Sequence, residues 1–230
     1  MNTGTTTLEI SLAAGGGAGA VEGLLACPPG ATCLLVLAHG AGAGMRHPFM
    51  ESTARELGAR GIATLRYQFP YMQKESRRPD SPVVLQATVR AAARAAAAAA
   101  PVLPLFAGGK SMGGRMTSLA AATEPLDGVR GIVFFGFPLH AAGSPSDERG
   151  AHLSRVTVPM LFLQGTRDRL ANLDLLRPLL AGIPRATLKV FEGADHSFHA
   201  PKSAGRTDAE VLVEIAETVA AWAAEALRQS

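Results

Sequence analysis

Apolar and polar positions alternate in blocks along most of the chain. Short apolar runs at Thr32–Ala38, Ile62–Tyr67, Pro104–Gly108, Val129–Phe137, Pro159–Leu163 and Thr187–Phe191 read as strands. The first is nearly unbroken, the mark of a strand buried on both faces. Between these runs lie helical segments: an amphipathic stretch Pro48–Arg60 stopped by Gly61, then Pro82–Ala100, Met112–Thr123, Leu173–Leu180 and Asp208–Arg228. Ser81-Pro82 supplies a cap and a first-turn proline, and the alanine tract that follows has the best helix propensity available. In the last segment Val211, Ile215, Val219 and Trp222 recur on one face, as core packing requires. Two further strands, Leu8–Leu12 and Val21–Cys27, precede the alternation and are joined by a glycine-rich hairpin loop.

Strand and helix alternate from residue 32 to the end, which predicts an α/β fold: a mostly parallel sheet with helices on both faces. In such sheets reactive groups collect in loops at the carboxyl ends of the strands. Four loops there are rich in glycine and chemically active residues: 39–44, 109–113, 165–168 and 193–198.

Bulk properties narrow the setting. The 230 residues suit one domain spanning 1–230, and 47% hydrophobic with 18% charged residues is a globular composition. The net charge of +3 is spread thinly; the tightest basic cluster, Lys74, Arg77 and Arg78, has Glu75 and Asp80 beside it and reads as a solvated loop. No nucleic-acid partner is expected. The first basic residue is Arg46, so no secretory leader is recognisable, and the alanine tract carries arginines and ends at Pro101, unlike a membrane span. A cytoplasmic protein with no membrane partner is the expectation, with Cys27 and Cys33 as reduced structural thiols.

Gly109-x-Ser111-x-Gly113, set between a strand and a helix, has the pattern of a nucleophile elbow. A serine hydroxyl needs a base to take its proton, and the base needs an acid to orient it. His196 follows the last strand and Asp168 the strand before it, so both can reach Ser111. His47, His152 and His199 are rivals for the base and Asp174 and Asp195 for the acid, each less well placed at a strand end. Two N–H groups should bind the developing oxyanion, that of Met112 after the serine and that of Ala41 after the third strand. His39 is expected to shape that loop through a hydrogen bond. Gly40, Tyr67, Phe69, Tyr71, Lys110 and His140, with His39, are expected around the pocket, and Lys110 and Arg115 could favour an acidic substrate.

Three other chemistries fit poorly. Gly109-Lys110-Ser111 resembles the end of a phosphate-binding loop, but Pro104 stands where the first glycine is required. Gly15–Ala20 nominally matches a dinucleotide fingerprint, yet a strand follows instead of a helix and no acid lies about 20 residues on. His196 and His199 have no third ligand at metal-site spacing. No cofactor or metal is expected.

With "LAHGAGAGMRHPFM", "LRYQFPYM", "GGKSMGGRM", "FGFPLH", "LFLQGTRD" and "GADHSF" in place, the chain resembles the α/β-hydrolase superfamily over nearly its whole length. It looks like the small group related to dienelactone hydrolases, which includes testis-expressed hydrolase-like proteins and a subunit of the non-specific-lethal histone acetyltransferase complex. The resemblance implies about eight strands with the second antiparallel, while Ser111, His196 and Asp168 point to a serine hydrolase acting on an ester, thioester or related acyl bond. It also implies an alternative, since some members serve as interaction modules without turnover. Dienelactone hydrolases use a cysteine where this chain has Ser111, so their substrate does not carry over. The polar excursion His140–Arg155 is too short for a large lid.

Overall fold

A computed structural model describes residues 4–12 and 19–229. The strands are β1 (Thr5–Leu12), β2 (Gly19–Ala26), β3 (Cys33–Ala38), β4 (Ile62–Tyr67), β5 (Leu105–Lys110), β6 (Val129–Phe135), β7 (Met160–Gly165) and β8 (Ala186–Phe191). They form one sheet in the order β1-β2-β4-β3-β5-β6-β7-β8. β2 runs antiparallel to both neighbours, and every pairing from β4 to β8 is parallel. The expected loop over Gly15–Ala20 falls mostly outside the described residues, Gly19 and Ala20 belonging to β2.

The helices are α1 (Pro48–Gly58), α2 (Pro70–Gln73), α3 (Pro82–Ala99), α4 (Met112–Thr123), α5 (Leu173–Ala181) and α6 (Asp208–Arg228). Every residue of β3 is buried, and its side chains alternate between two cores. Leu34, Val36 and Ala38 join Leu85 and Val89 of α3 and Met116 of α4. Cys33, Leu35 and Leu37 join Leu57 of α1 and Val211, Ile215 and Val219 of α6. This two-sided burial explains why the run reads as unbroken apolar sequence. Trp222 packs its ring on Phe106 at 5.6 Å.

The differences from the expected elements are local and have causes. β6 stops at Phe135, because Gly136 turns the chain at φ +74. α2 is a single turn started by Pro70, too short to show a period. Ser81 occupies the N-cap of α3 without a side-chain cap bond. α5 is capped by Asn172, whose side chain accepts from the Asp174 N–H. A reciprocal Thr207–Glu210 capping box starts α6. Residues 136–159, which join β6 to β7, hold only the 3₁₀ turns Glu148–Gly150 and Leu153–Arg155, and no lid stands over the sheet among the described residues. Cys27 is exposed and Cys33 buried, both as free thiols. No helix among the described residues is long and apolar enough to cross a membrane.

Candidate active site

β5 delivers Ser111 to the carboxyl edge of the sheet, and α4 begins immediately after it. Ser111 takes φ 50, ψ −118, a conformation that L residues adopt only when their surroundings impose it. The surroundings are crowded backbone. A Cβ on Gly109 would lie 2.5 Å from the Ala38 carbonyl oxygen, and one on Gly113 would lie 2.6 Å from the carbonyl oxygens of Ala38 and His39. Only glycine at these two positions lets α4 lie directly on the end of β3. The Ser111 N–H donates to the Phe135 carbonyl at 3.2 Å, which anchors the turn to β6.

Three loops converge on the hydroxyl. His196, in the loop after β8, has Nε2 2.8 Å from Ser111 Oγ. Its Nδ1 lies 2.7 Å from Asp168 Oδ2, after β7. The carboxylate accepts the Nδ1 proton, so Nε2 is the free acceptor facing the serine O–H. Asp168 is itself held on both oxygens. Gln164 Nε2 donates to Oδ2 at 2.5 Å and the Leu170 N–H to Oδ1 at 2.8 Å. Gln164 is wholly buried, and its Oε1 accepts from the Phe137 N–H at 3.0 Å. That bond ties the acid to the turn after β6.

The loop 39–44 passes beside the serine. A Cβ on Gly40 would sit 3.8 Å from that of Ser111. His39 fixes this loop from beneath. Its Nε2 accepts from the Phe69 N–H at 3.1 Å, so its proton is on Nδ1, which donates to the Gly40 carbonyl at 2.8 Å. Burial lowers the His39 pKa to about 4, which keeps the ring neutral in this role. The Gly42 N–H donates to the Tyr71 hydroxyl at 3.0 Å and that of Ala43 to the Gly40 carbonyl at 3.3 Å. The Ala41 N–H has no acceptor among the described residues, and that of Met112, first in α4, has none within its helix.

A cavity of about 190 Å³ opens beside Ser111, walled by Gly40, Ala41, Ala43, His47, Phe49, Met50, Lys110, His196 and Ser197. Gly40 and Lys110, two of the residues expected around the pocket, are among its walls. His39, Tyr67, Phe69, Tyr71 and His140 are buried and do not line this cavity. Tyr67 and Phe69 pack on one another at 5.3 Å between ring centres. His140 pins the segment after β7, donating from Nδ1 to the Ala141 carbonyl and accepting at Nε2 from the Asn172 N–H, each at 2.8 Å. Aromatic residues next to strand ends therefore became underpinning, because the following turns fold back over them.

Lys110 does more than its position beside Ser111 suggests. Its ammonium donates to the His196 carbonyl at 2.5 Å and lies 5.7 Å and 5.6 Å from the ring centres of Phe49 and Phe198. Those rings stack nearly parallel, 12° apart. Desolvation lowers the Lys110 pKa to about 8, although the Asp168 and Asp195 carboxylates pull it back up. Gln164, Phe49 and Phe198 were not singled out in the sequence. Gln164 carried a signal, a polar residue ending an otherwise apolar buried run.

The rival histidines make no hydrogen bond to Ser111. His47 caps α1, its Nδ1 accepting from the Phe49 N–H at 3.2 Å. His199 pairs with Asp208 on the surface at 2.9 Å. His152 Nε2 meets Ser118 Oγ at 2.7 Å, but both are buried, Ser118 sits inside α4, and no carboxylate among the described residues joins them. Asp195 shapes the loop after β8, accepting from the N–H groups of Ser197 and His199 at 2.7 and 3.0 Å.

A parallel-centred sheet with a strained serine at the β5–α4 turn and partners after β7 and β8 defines a class, the α/β hydrolases. Residues 31–224 match the family described as "Alpha/beta hydrolase domain", and the chain belongs to it. The fold is similar to that of a dienelactone hydrolase from Anabaena variabilis, at 23% identity and TM-score 0.75 over 95% of this chain and 96% of that one. It is similar to an α/β serine hydrolase without a lid from Xanthomonas campestris, at 21% identity and TM-score 0.71 over 96% of both chains. It is also similar to Est1E from Butyrivibrio proteoclasticus, at 15% identity and TM-score 0.72, covering 96% of this chain and 99% of that one.

Proposed function

We propose that the protein is a serine hydrolase that cleaves a small acyl ester or thioester through an acyl-enzyme intermediate. The observation that carries the reading is the unbroken chain of contacts from Ser111 Oγ through His196 to Asp168, at 2.8 and 2.7 Å. Ser111 Oγ attacks the acyl carbonyl while His196 Nε2 takes its proton. Asp168 orients the imidazole and offsets the charge it gains. The Met112 and Ala41 N–H groups receive the oxyanion, and losing one such donor costs about 100–1000-fold in rate. His196 then protonates the leaving group, and water, deprotonated by the same nitrogen, releases the acid.

The cavity of about 190 Å³ is smaller than the ~300–1000 Å³ usual for drug-sized ligands, which favours a compact acyl group. The narrower likeness to the testis-expressed and non-specific-lethal-complex proteins, a single functional unit over residues 1–230 and a cytoplasmic location belong to the same proposal. The test is labelling by a fluorophosphonate, read by mass spectrometry at Ser111, together with turnover of aryl esters of graded chain length. Ser111→Ala should abolish labelling and lower turnover about 10⁴-fold or more. A folded wild-type protein that neither labels nor turns over any ester would instead favour a silent interaction module.

A further inference from the structure

The loop Gly40-Ala41-Gly42-Ala43-Gly44 carries no side chain larger than a methyl group. Glycine gives up more backbone freedom on folding than any other residue, so such a loop cannot hold one shape by its own contacts. Its neighbours must impose the shape. β3 and β4 pair with Ala38 level with Tyr67, so the chain leaves both strands side by side and the turn after β4 runs along the loop. That turn grips the loop at three points. The Phe69 N–H donates to His39 Nε2 at 3.1 Å, the Tyr71 hydroxyl accepts from the Gly42 N–H at 3.0 Å, and Gln68 Oε1 accepts from the Met45 N–H at 2.9 Å.

The gripping turn is itself fixed. The Tyr71 N–H donates to Asp80 Oδ2 at 2.7 Å, and the Tyr71 carbonyl accepts from the Ser76 N–H at 2.8 Å. Tyr71 is buried, whereas Ala41 and Gly42 are exposed, so a rigid partner meets a pliant one. Ala41 lies between two gripped peptides. A trans peptide is planar, with its carbonyl and N–H pointing opposite ways. The Gly40 carbonyl accepts from His39 Nδ1 at 2.8 Å and from the Ala43 N–H at 3.3 Å, so the Ala41 N–H of the same plane points away from His39. Turned over, that plane would present a carbonyl where an oxyanion needs a donor. The next plane joins Ala41 to Gly42, and Tyr71 holds it by the Gly42 N–H. The His39 bond sets the direction of the Ala41 N–H, and the Tyr71 bond sets where the Ala41 Cα stands.

We propose that Tyr71 is a positioning residue for the acyl transfer: its hydroxyl, working with His39, locks the two peptides that flank Ala41 and so presets the Ala41 N–H for the oxyanion. Tyr71 is not in the wall of the cavity beside Ser111 and acts through the loop alone. A donor set in advance costs no reorganisation when the negative charge develops, which is where such a group gains its worth. Both acylation and deacylation pass through an oxyanion, so the effect belongs to kcat. The inference rests on the acyl-transfer reading for its chemistry, but the hold on the loop can be measured without turnover.

The experiment compares wild type with Tyr71→Phe, which loses one oxygen and keeps the ring; unfolding midpoints check that both are folded. One hydrogen bond is worth at most about tenfold in an equilibrium. Hydrogen exchange of residues 39–47, read by mass spectrometry, should therefore speed up about 3–10-fold in the variant. Hydrolysis of 4-nitrophenyl acetate should lose about the same 3–10-fold in kcat, with KM little changed. Affinity for 1,1,1-trifluoro-2-butanone, which a nucleophilic serine converts to a tetrahedral oxyanion, should weaken by the same factor, while affinity for 2-butanone, which stays trigonal, should not. A general structural lesion would weaken both ketones alike. Unchanged exchange, or a loss that falls on KM or equally on the two ketones, overturns the proposal. If Tyr71→Phe does not fold, Gln68→Leu cuts the grip at Met45 and should give the same pattern, and Gln68→Glu, which keeps an acceptor, should restore wild-type behaviour. A folded wild type that cleaves no ester, with loop exchange that still depends on Tyr71, supports the lock and removes the acyl-transfer reading instead.

Discussion

Replacing Lys110 with methionine tests the electrostatics around the base directly. Methionine keeps the apolar stem between Phe49 and Phe198 but removes the ammonium that holds the His196 carbonyl. Burial lowers the Lys110 pKa from 10.5 to about 8, which corresponds to at most about 3 kcal/mol against the charged form in the fold. Between pH 8 and 10.5 the unfolded chain therefore holds the Lys110 proton and the folded protein does not. Wild-type stability should rise with pH through that window, at up to about 1.4 kcal/mol per pH unit from this group, and Lys110→Met should lack the rise. Tyrosines and the other lysines titrate in both proteins and cancel in the difference. Urea unfolding at pH 7.5, 9 and 10.5 reads it out: the variant's stability relative to wild type should fall by about 2–3 kcal/mol across the series. Parallel stability curves would refute the claim that the fold strains the ammonium. The same variant loosens the loop bearing His196, and a misplacement of about 1 Å at a reacting group costs about 100-fold. The loss should fall on kcat, with KM little changed; a wild-type kcat would show that Lys110 does not position the base.

Two further outcomes follow from the packing. Gly113→Ala brings a Cβ to within 2.6 Å of the Ala38 and His39 carbonyl oxygens, which are backbone and cannot swing away. It should cost about 1–3 kcal/mol, a fall of roughly 2–12 °C in Tm, and an unchanged melting curve would contradict the close seating of α4 on β3. His39 and His152 are held neutral with pKa values lowered from 6.5 to about 4, chiefly by burial. The unfolded chain binds more protons than the folded one between pH 6.5 and 4, so stability should decline on acidification, by roughly 2–4 kcal/mol from pH 7 to 5. Urea unfolding that gave equal stabilities at pH 7 and 5 would refute the buried neutral rings.

Much of this architecture is written locally. The run Cys33–Ala38 is apolar throughout because both its faces are covered, and that property is visible residue by residue. The same holds for the apolar face of α6 and for the glycines around Ser111, where a short-range steric demand selects the residue type. Alternation of strand and helix orders the sheet, and the order in turn sends Ser111, Asp168 and His196 to one edge. The two oxyanion candidates follow from the same logic, since each is the residue just past a strand end or at the start of a helix.

Side-chain destinations beyond that edge needed the folded chain. Tyr67, Phe69, Tyr71 and His140 follow strand ends just as Ser111 does, yet the turns after them cross back and bury them as supports. Phe49 and Phe198 lie 149 positions apart and meet only because α1 and the loop after β8 flank the same strands, and between them they hold the ammonium of Lys110. His152 and Ser118, 34 positions apart, meet only because the β6–β7 connection folds back onto α4. Periodicity reports burial within a few residues of itself. Which polar group faces which, across scores of residues, depends on sheet twist and on how loops cross, and those are settled only when the whole sheet closes its two cores.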